Sequence, residues 1–165
     1  DRVRVLFQDY RDISGHYDRI SVIEMFEAVG EQYWPSFFQR LRHLIKPGGL
    51  AILQIIVIRD AIFPAYKNRI DFIQRHIFPG GMLPSKEQLV TLTAANGFTW
   101  RHDSSYGSDY ARTLSMWLSR YENAESHLKT LDLNEQFHRT WRYYLSYCHA
   151  GFRTGRTNLL QTLIS

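Results

Sequence analysis

An α/β fold built around a parallel sheet is what this sequence predicts, and three observations predict it. YDRISVI (17–23) is a short run rich in β-branched residues. Glu31 to Lys46 repeats Phe37, Leu41, Leu44 and Ile45 at helical spacing. LAILQIIVI (50–58) is almost continuously apolar, as a central strand covered on both faces requires. Strand, helix and strand in that order imply a right-handed crossover between parallel neighbours.

Ahead of these, Val3, Val5 and Phe7 alternate with Arg4 and Leu6, the period of a strand, and polar residues from Gln8 to Asp12 close it. After Ile23 the stretch from Met25 to Gly30 leaves the sheet, and KPGG at 46–49 stops the helix. Arg59 to Pro84 is too long for an ordinary connection and carries aromatic and basic residues, which marks it as a functional insertion. Ser85 then reads as a helix N-cap with Gln88 completing a capping box, and Gly97 closes that helix after Asn96. Phe98 to Ser105 is a further strand. Two helices follow, Ser108 to Lys129 and Leu133 to Ala150. Leu114, Trp117, Leu118 and Tyr121 share a face of the first; Phe137, Trp141, Tyr144, Leu145 and Cys148 share one of the second. Asn158 to Ile164 is the last strand. With no repeat, low-complexity tract or linker, residues 1–165 read as a single domain.

Of the 165 residues 44% are apolar and 22% charged, enough for one core of ordinary size. The net charge of +4 leans toward anionic partners, and a phosphate track or a lipid headgroup surface both fit. Nucleic acid is disfavoured, because no Lys- or Arg-dense run accompanies the modest charge. Cys148 is the only cysteine, so an intramolecular disulfide is excluded and a reducing, cytosolic setting is expected. No apolar run reaches the ~18 residues of a membrane-spanning helix. The N-terminus has no signal-peptide pattern, and a chain that opens inside a strand reads as truncated.

Two carboxylates, Glu24 and Glu27, follow the strand ending at Ile23, and open α/β sheets bind ligands at the carboxyl ends of their strands. Each is read either as a solvated residue at a helix start or as part of a site. Gln54, set among Leu53, Ile55 and Ile56, needs hydrogen-bond partners or costs about 1–3 kcal/mol, and either a structural bond or a polar ligand would satisfy it. The seven histidines are scattered and give no metal-ligand spacing, so no metal is expected. Neither a Gly-x-Ser-x-Gly elbow nor a Gly-x-x-x-x-Gly-Lys loop is present, which removes the main support for hydrolase and nucleoside triphosphatase readings. Aromatic residues make up 15% of the chain and concentrate in its last third, where they form either core or the wall of an apolar tunnel.

Taken together, LFQDYRD (6–12), YDRISVIEMFEAVG (17–30), KPGG (46–49), FIQRHIFPGGMLPS (72–85), DYARTLSMW (109–117) and YCHAGFR (147–153) resemble the cyclopropane-fatty-acyl-phospholipid synthase family, which includes the mycolic acid cyclopropane synthases. The resemblance runs in order along essentially the whole chain. It implies the C-terminal part of a Rossmann-like class I methyltransferase sheet with a helical lipid-binding insertion. It also implies S-adenosylmethionine as methyl donor, and methyl or methylene transfer to the double bond of an unsaturated acyl chain of a phospholipid. Bicarbonate is the implied base, and the implied location is cytoplasmic, peripheral at the inner face of the cell membrane. A homodimer is left open.

By the same resemblance, Glu27 accepts from the bicarbonate hydroxyl, Tyr110 touches that ion through its own hydroxyl, and the Ile56 backbone N–H donates to it. Gln54 stands where better-known members carry histidine. An amide can donate but does not titrate near neutral pH, which favours methylation or methylene transfer without ring closure. Phe78, Leu114 and Cys148 match acyl-tunnel positions, and Asp9, Tyr10 and Ile23 match the surroundings of the cofactor. The family's glycine-rich cofactor loop, its acidic ribose-binding residue and a bicarbonate-contacting cysteine fall outside this chain, so weak or absent cofactor binding is expected of these residues alone. The exposed sheet edge is an association hazard. Two other readings stand beside this one: a non-catalytic lipid-binding relative, favoured by Gln54, and a methyltransferase with a small-molecule acceptor.

Overall fold

The computed structural model describes residues 2–124, 128 and 130–165. Four strands, β1 (Tyr17–Ile23), β2 (Ile45–Ile58), β3 (Trp100–Ser105) and β4 (Thr157–Ile164), form one sheet in the spatial order β1-β2-β4-β3. β1 and β2 are parallel, as the intervening helix α1 (Trp34–Leu44) predicts. The sheet is not parallel throughout, however: β4 runs antiparallel to both of its neighbours. Two helices, α5 (Gly107–Asn123) and α6 (Glu135–Arg153), separate β3 from β4. The chain therefore reverses once more than in a single-helix crossover. The expected extension of α5 to Lys129 lies partly outside the described residues, as does His127.

The expected strand over Val3–Phe7 does not form. Val5 is 90% exposed, and no strand lies beside this segment among the described residues. Alternation shows that a segment can be a strand, but a strand also needs a neighbour to take its hydrogen bonds. β2 departs from expectation too, for Ile52 is 48% exposed and only part of the strand is covered on both faces.

Layering follows from the alternation of β2. Leu53, Ile55 and Val57 face one core, where Phe26, Trp34, Phe37, Phe38 and Leu41 pack with Leu89 of α4 (Lys86–Ala95). Ile56 packs with the second core, formed by Ala111, Leu114, Leu145, Phe152 and Leu159 under α5 and α6. α1 starts with Pro35 in its first turn, where a missing N–H costs nothing, and Ile45 is already extended, so the helix ends at Leu44.

KPGG, expected to stop the helix, lies inside β2, where the register with β1 shifts between Tyr17 and Arg19. A Cβ on Gly49 would lie 2.7 Å from Ile45 Cγ1, 2.9 Å from the Lys46 carbonyl oxygen and 3.1 Å from that of Asp18. Gly49→Ala is accordingly expected to lower stability by about 1–3 kcal/mol, the usual range for overpacking, and chemical denaturation measures it.

The insertion after β2 is helical in short pieces. It contains α2 (Phe63–Tyr66) and α3 (Phe72–His76), the latter started by a full capping box between Asp71 and Gln74. Ser85 caps α4 by accepting the Gln88 N–H at 3.3 Å.

Candidate active site

The site grows out of the place where β1 ends before β2 does. β1 pairs with β2 as far as Ile23 opposite Gln54, and the Glu24 N–H still donates to the Gln54 carbonyl at 2.8 Å. Beyond that point the same edge of β2 has no strand beside it, so its N–H groups need other acceptors. Glu27 supplies one and accepts from the Ile56 N–H at 2.5 Å through Oε1. Pro84 supplies the next, its carbonyl accepting from Ile58 at 2.9 Å. The insertion in turn fixes the Glu27 loop, because the Met82 N–H donates to the Glu27 carbonyl at 2.9 Å.

Glu24 has a φ of +48°, the left-handed region, and is the one described residue other than glycine found there. Its carboxylate accepts at both ends. Gln54 Nε2 donates to Oε1 at 2.7 Å, and the Tyr110 hydroxyl donates to Oε2 at 2.9 Å. Gln54 Oε1 accepts in turn from Gln161 Nε2 at 2.7 Å. Four side chains from β4, β2, the end of β1 and α5 thus form one continuous hydrogen-bonded row.

Burial sets the electrostatics. Desolvation pushes the Glu27 carboxyl up to about 7, against the opposing pull of the Ile56 N–H and with a smaller push from Glu24. Its Oε2 is buried without a partner. Desolvation also raises the Tyr110 hydroxyl, helped by its bond to Glu24. Tyr144 and Cys148, both on α6, are pushed up to about 12 by burial, so the thiol stays neutral.

Of the residues singled out from sequence, the structure brings Gln54 and Tyr110 together on Glu24, and Ile56 together with Glu27. Each of these groups donates to one of the chain's own carboxylates, the Ile56 N–H to Glu27 and Gln54 Nε2 and the Tyr110 hydroxyl to Glu24, while the Gln54 amide keeps a second N–H. Glu24 and Glu27 thus take up donors expected to face bicarbonate, and Glu27 Oε2 is buried without a partner. Leu114 is buried in the second core with Cys148 packed against the same cluster. Phe78 is more than half exposed, its ring edge-on to Tyr144 at 6.3 Å. Asp9 is tied to Arg11 by a 2.8 Å ion pair, which holds its carboxyl down at about 2. Tyr10 packs against Phe37 at 5.7 Å, and Ile23 is 58% exposed at the end of β1.

Sequence reasoning weighed Glu24 and then passed it over for Glu27, and it missed Gln161. The signal for Gln161 was the one that exposed Gln54, a lone amide inside an apolar strand, here LLQTLI (159–164).

A four-stranded stretch of Rossmann-like sheet, with paired carboxylates where a strand ends, defines the class: the fold is that of the class I S-adenosylmethionine-dependent methyltransferases. Within that class the chain belongs to the mycolic acid cyclopropane synthetase family, whose model matches residues 1–162. It is 38% identical over 165 residues to the tuberculostearic acid methyltransferase UfaA1 of Mycobacterium tuberculosis, covering 99% of this chain and 39% of that protein. With the cyclopropane-fatty-acyl-phospholipid synthase of Escherichia coli K12 it shares 32% over 163 residues, covering 99% and 41%. The crystal structure of mycolic acid cyclopropane synthase CmaA1, complexed with SAH and CTAB, superposes with a TM-score of 0.87 at 28% identity, covering 98% of this chain and 59% of that one. The chain thus spans about two-fifths of the length of these two curated relatives.

Among the described residues no cluster of three or more His, Cys, Asp or Glu is arranged to hold a metal. No helix among them is long and apolar enough to cross a membrane.

Proposed function

We propose that this chain forms the acid–base and acyl-binding part of a methyltransferase that adds one carbon to the double bond of an unsaturated phospholipid acyl chain. The observation that carries the reading is Glu24, a carboxylate held by Gln54 and Tyr110 beside a buried, protonatable Glu27. Family membership and the names of the relatives supply the substrate class.

S-adenosylmethionine, when bound, supplies an electrophilic methyl group. Ile23, exposed at the end of β1, and Tyr10 offer apolar surface that would hold it, whereas the Asp9 carboxylate is already committed to Arg11. What this chain contributes is a proton acceptor and a dry wall. Methylation of an alkene leaves positive charge on the acyl chain, and aromatic faces such as that of Tyr110, packed on Phe152 at 4.6 Å, stabilise charge of that sign. Glu24 then takes a proton from the methylated chain, and the C–H electron pair either closes a ring or becomes a new double bond. Both outcomes add one CH2 and need no reductant. Because the donors expected to hold bicarbonate end on Glu24 and Glu27, proton removal is assigned to Glu24 itself.

The headgroup reading has its own support. A surface cleft of about 540 Å³ is lined by Arg112, Arg153 and His149, together with Phe152, the residue that packs on Tyr110. Both arginines are exposed, and none of the three basic side chains has a hydrogen bond or ion pair among the described residues. Unpaired guanidinium groups suit a phosphodiester, and this supports a peripheral position at the inner face of the cell membrane. The intact Glu24 cluster weighs against a non-catalytic lipid-binding relative.

Mass spectrometry of lipids from cells expressing the intact protein tests the reading. Unsaturated phospholipid acyl chains are expected to gain the mass of one CH2; unchanged lipids in cells where the protein is folded and abundant would overturn it.

A further inference from the structure

Gln54 and Gln161 face each other in register on β2 and β4, each with an aliphatic residue directly before it, Leu53 and Leu160. The residues flanking Gln161, Leu160 and Thr162, are each 2% exposed. An amide has one accepting and one donating end, so a row of amides has a polarity. Here each donating end points toward Glu24: Gln161 Nε2 to Gln54 Oε1, then Gln54 Nε2 to Glu24 Oε1. Reversing the row would turn the Gln54 carbonyl toward Glu24, and that carboxyl would then have to carry a proton to make the bond.

We propose that Gln161 is a positioning residue that sets the direction of this row, so that Glu24 meets a donor and stands ready to accept a proton. The proposal rests on the assignment of Glu24 as the proton acceptor. Gln161 itself touches neither substrate nor cofactor in this scheme and acts through Gln54.

The groups that face Glu24 besides Gln54 are Tyr110 from α5, Tyr144 with Cys148 beside it from α6, and Glu27 from the loop after β1. Burial raises the two tyrosines and the thiol, which keep their protons through the neutral range. Glu27 does titrate there, but it is common to every variant at position 161, so differences among those variants are read free of it.

The test is the pH profile of kcat in the intact protein. Once ionised, the carboxylate of Gln161→Glu can only accept from Gln54, so the rising limb is expected to move to higher pH, with turnover at neutral pH falling about tenfold or more. Gln161→Lys can only donate, and its limb is expected to stay at or below that of the wild type. Gln161→Leu, which adds no charge and suits an apolar strand, should shift the limb upward by less than Gln161→Glu.

A double-mutant cycle separates the relay from a bare charge effect. In a Gln54→Leu background, Gln161→Glu is expected to move the limb no further. A shift that persists there, or an unmoved limb in Gln161→Glu and Gln161→Leu alike, overturns the role of Gln161 while leaving Glu24 in place. If Glu24→Gln itself retains the rising limb and the turnover of the wild type, the assignment of Glu24 and the inference built on it both fall.

Discussion

Glu24→Gln is expected to reduce turnover of the intact protein by about 10²–10⁴-fold, the usual contribution of a positioned general base. Gln preserves the length and branching of the side chain, so the fold should survive. What disappears is the capacity to take a proton. The introduced amide would also present an N–H where Glu24 accepts from either Gln54 Nε2 or the Tyr110 hydroxyl, setting donor against donor. Affinity for S-adenosylmethionine, measured by calorimetric titration, should change little, because Glu24 spends its hydrogen bonds on protein partners. Equal losses in turnover and in cofactor affinity would place Glu24 in the binding site and remove it from the proton transfer.

The second large effect concerns Glu27 and pH. Its carboxyl is raised from the ordinary 4.5 to about 7 because burial disfavours the charged form. The folded state therefore binds a proton that the unfolded chain has already released between those two values. The resulting stabilisation is fully present below about 4.5, declines as pH rises, and is gone above about 7. At about 1.4 kcal/mol per pH unit, the difference between pH 5 and pH 8 is at most about 3 kcal/mol. Denaturant titrations at the two pH values measure it, and Glu27→Gln, which has no proton to lose, is expected to flatten the slope. The variant should also turn over substrate far more slowly without a matching loss of cofactor affinity, since the buried Glu27 carboxyl is close enough to Glu24 to feel its charge, while the surface offered to the cofactor is that of Tyr10 and Ile23. If Glu27→Gln retains the wild-type slope, some other group carries the pH dependence.

Local chemistry made most of the fold legible. The β-branched run before Ile23, the apolar run through Ile58, the Ser85 cap and the aliphatic LLQTLI segment each specify their element through short-range preference and burial. Two things escaped that reasoning. Val3 to Phe7 has the period of a strand, but period says nothing about whether a partner edge is present. The placement of β4 between β2 and β3 was also hidden, because spatial order depends on how α5 and α6 return the chain rather than on any residue within β4.

The site was legible in its parts. Gln54 announced itself as a polar residue in an apolar strand, and the carboxyl end of β1 announced a ligand-facing edge. Which of two neighbouring carboxylates does what was not readable, since it turns on backbone direction. After Ile23 the chain bends so that Glu24 reaches Gln54 and Tyr110, while Glu27 bends back to cap the free edge of β2. Sequence spacing alone left those two roles exchangeable.

Glu24 is held in a backbone conformation that glycine adopts freely and other residues resist, at roughly 1 kcal/mol. Glycine there would relieve that strain but strip the Gln54 amide and the Tyr110 hydroxyl of their acceptor, at about 1–3 kcal/mol for each donor left without one. Alanine would lose the same acceptor and keep the strain, so its thermal midpoint should fall below that of the glycine variant. The gap between those two melting curves isolates what the bend alone costs.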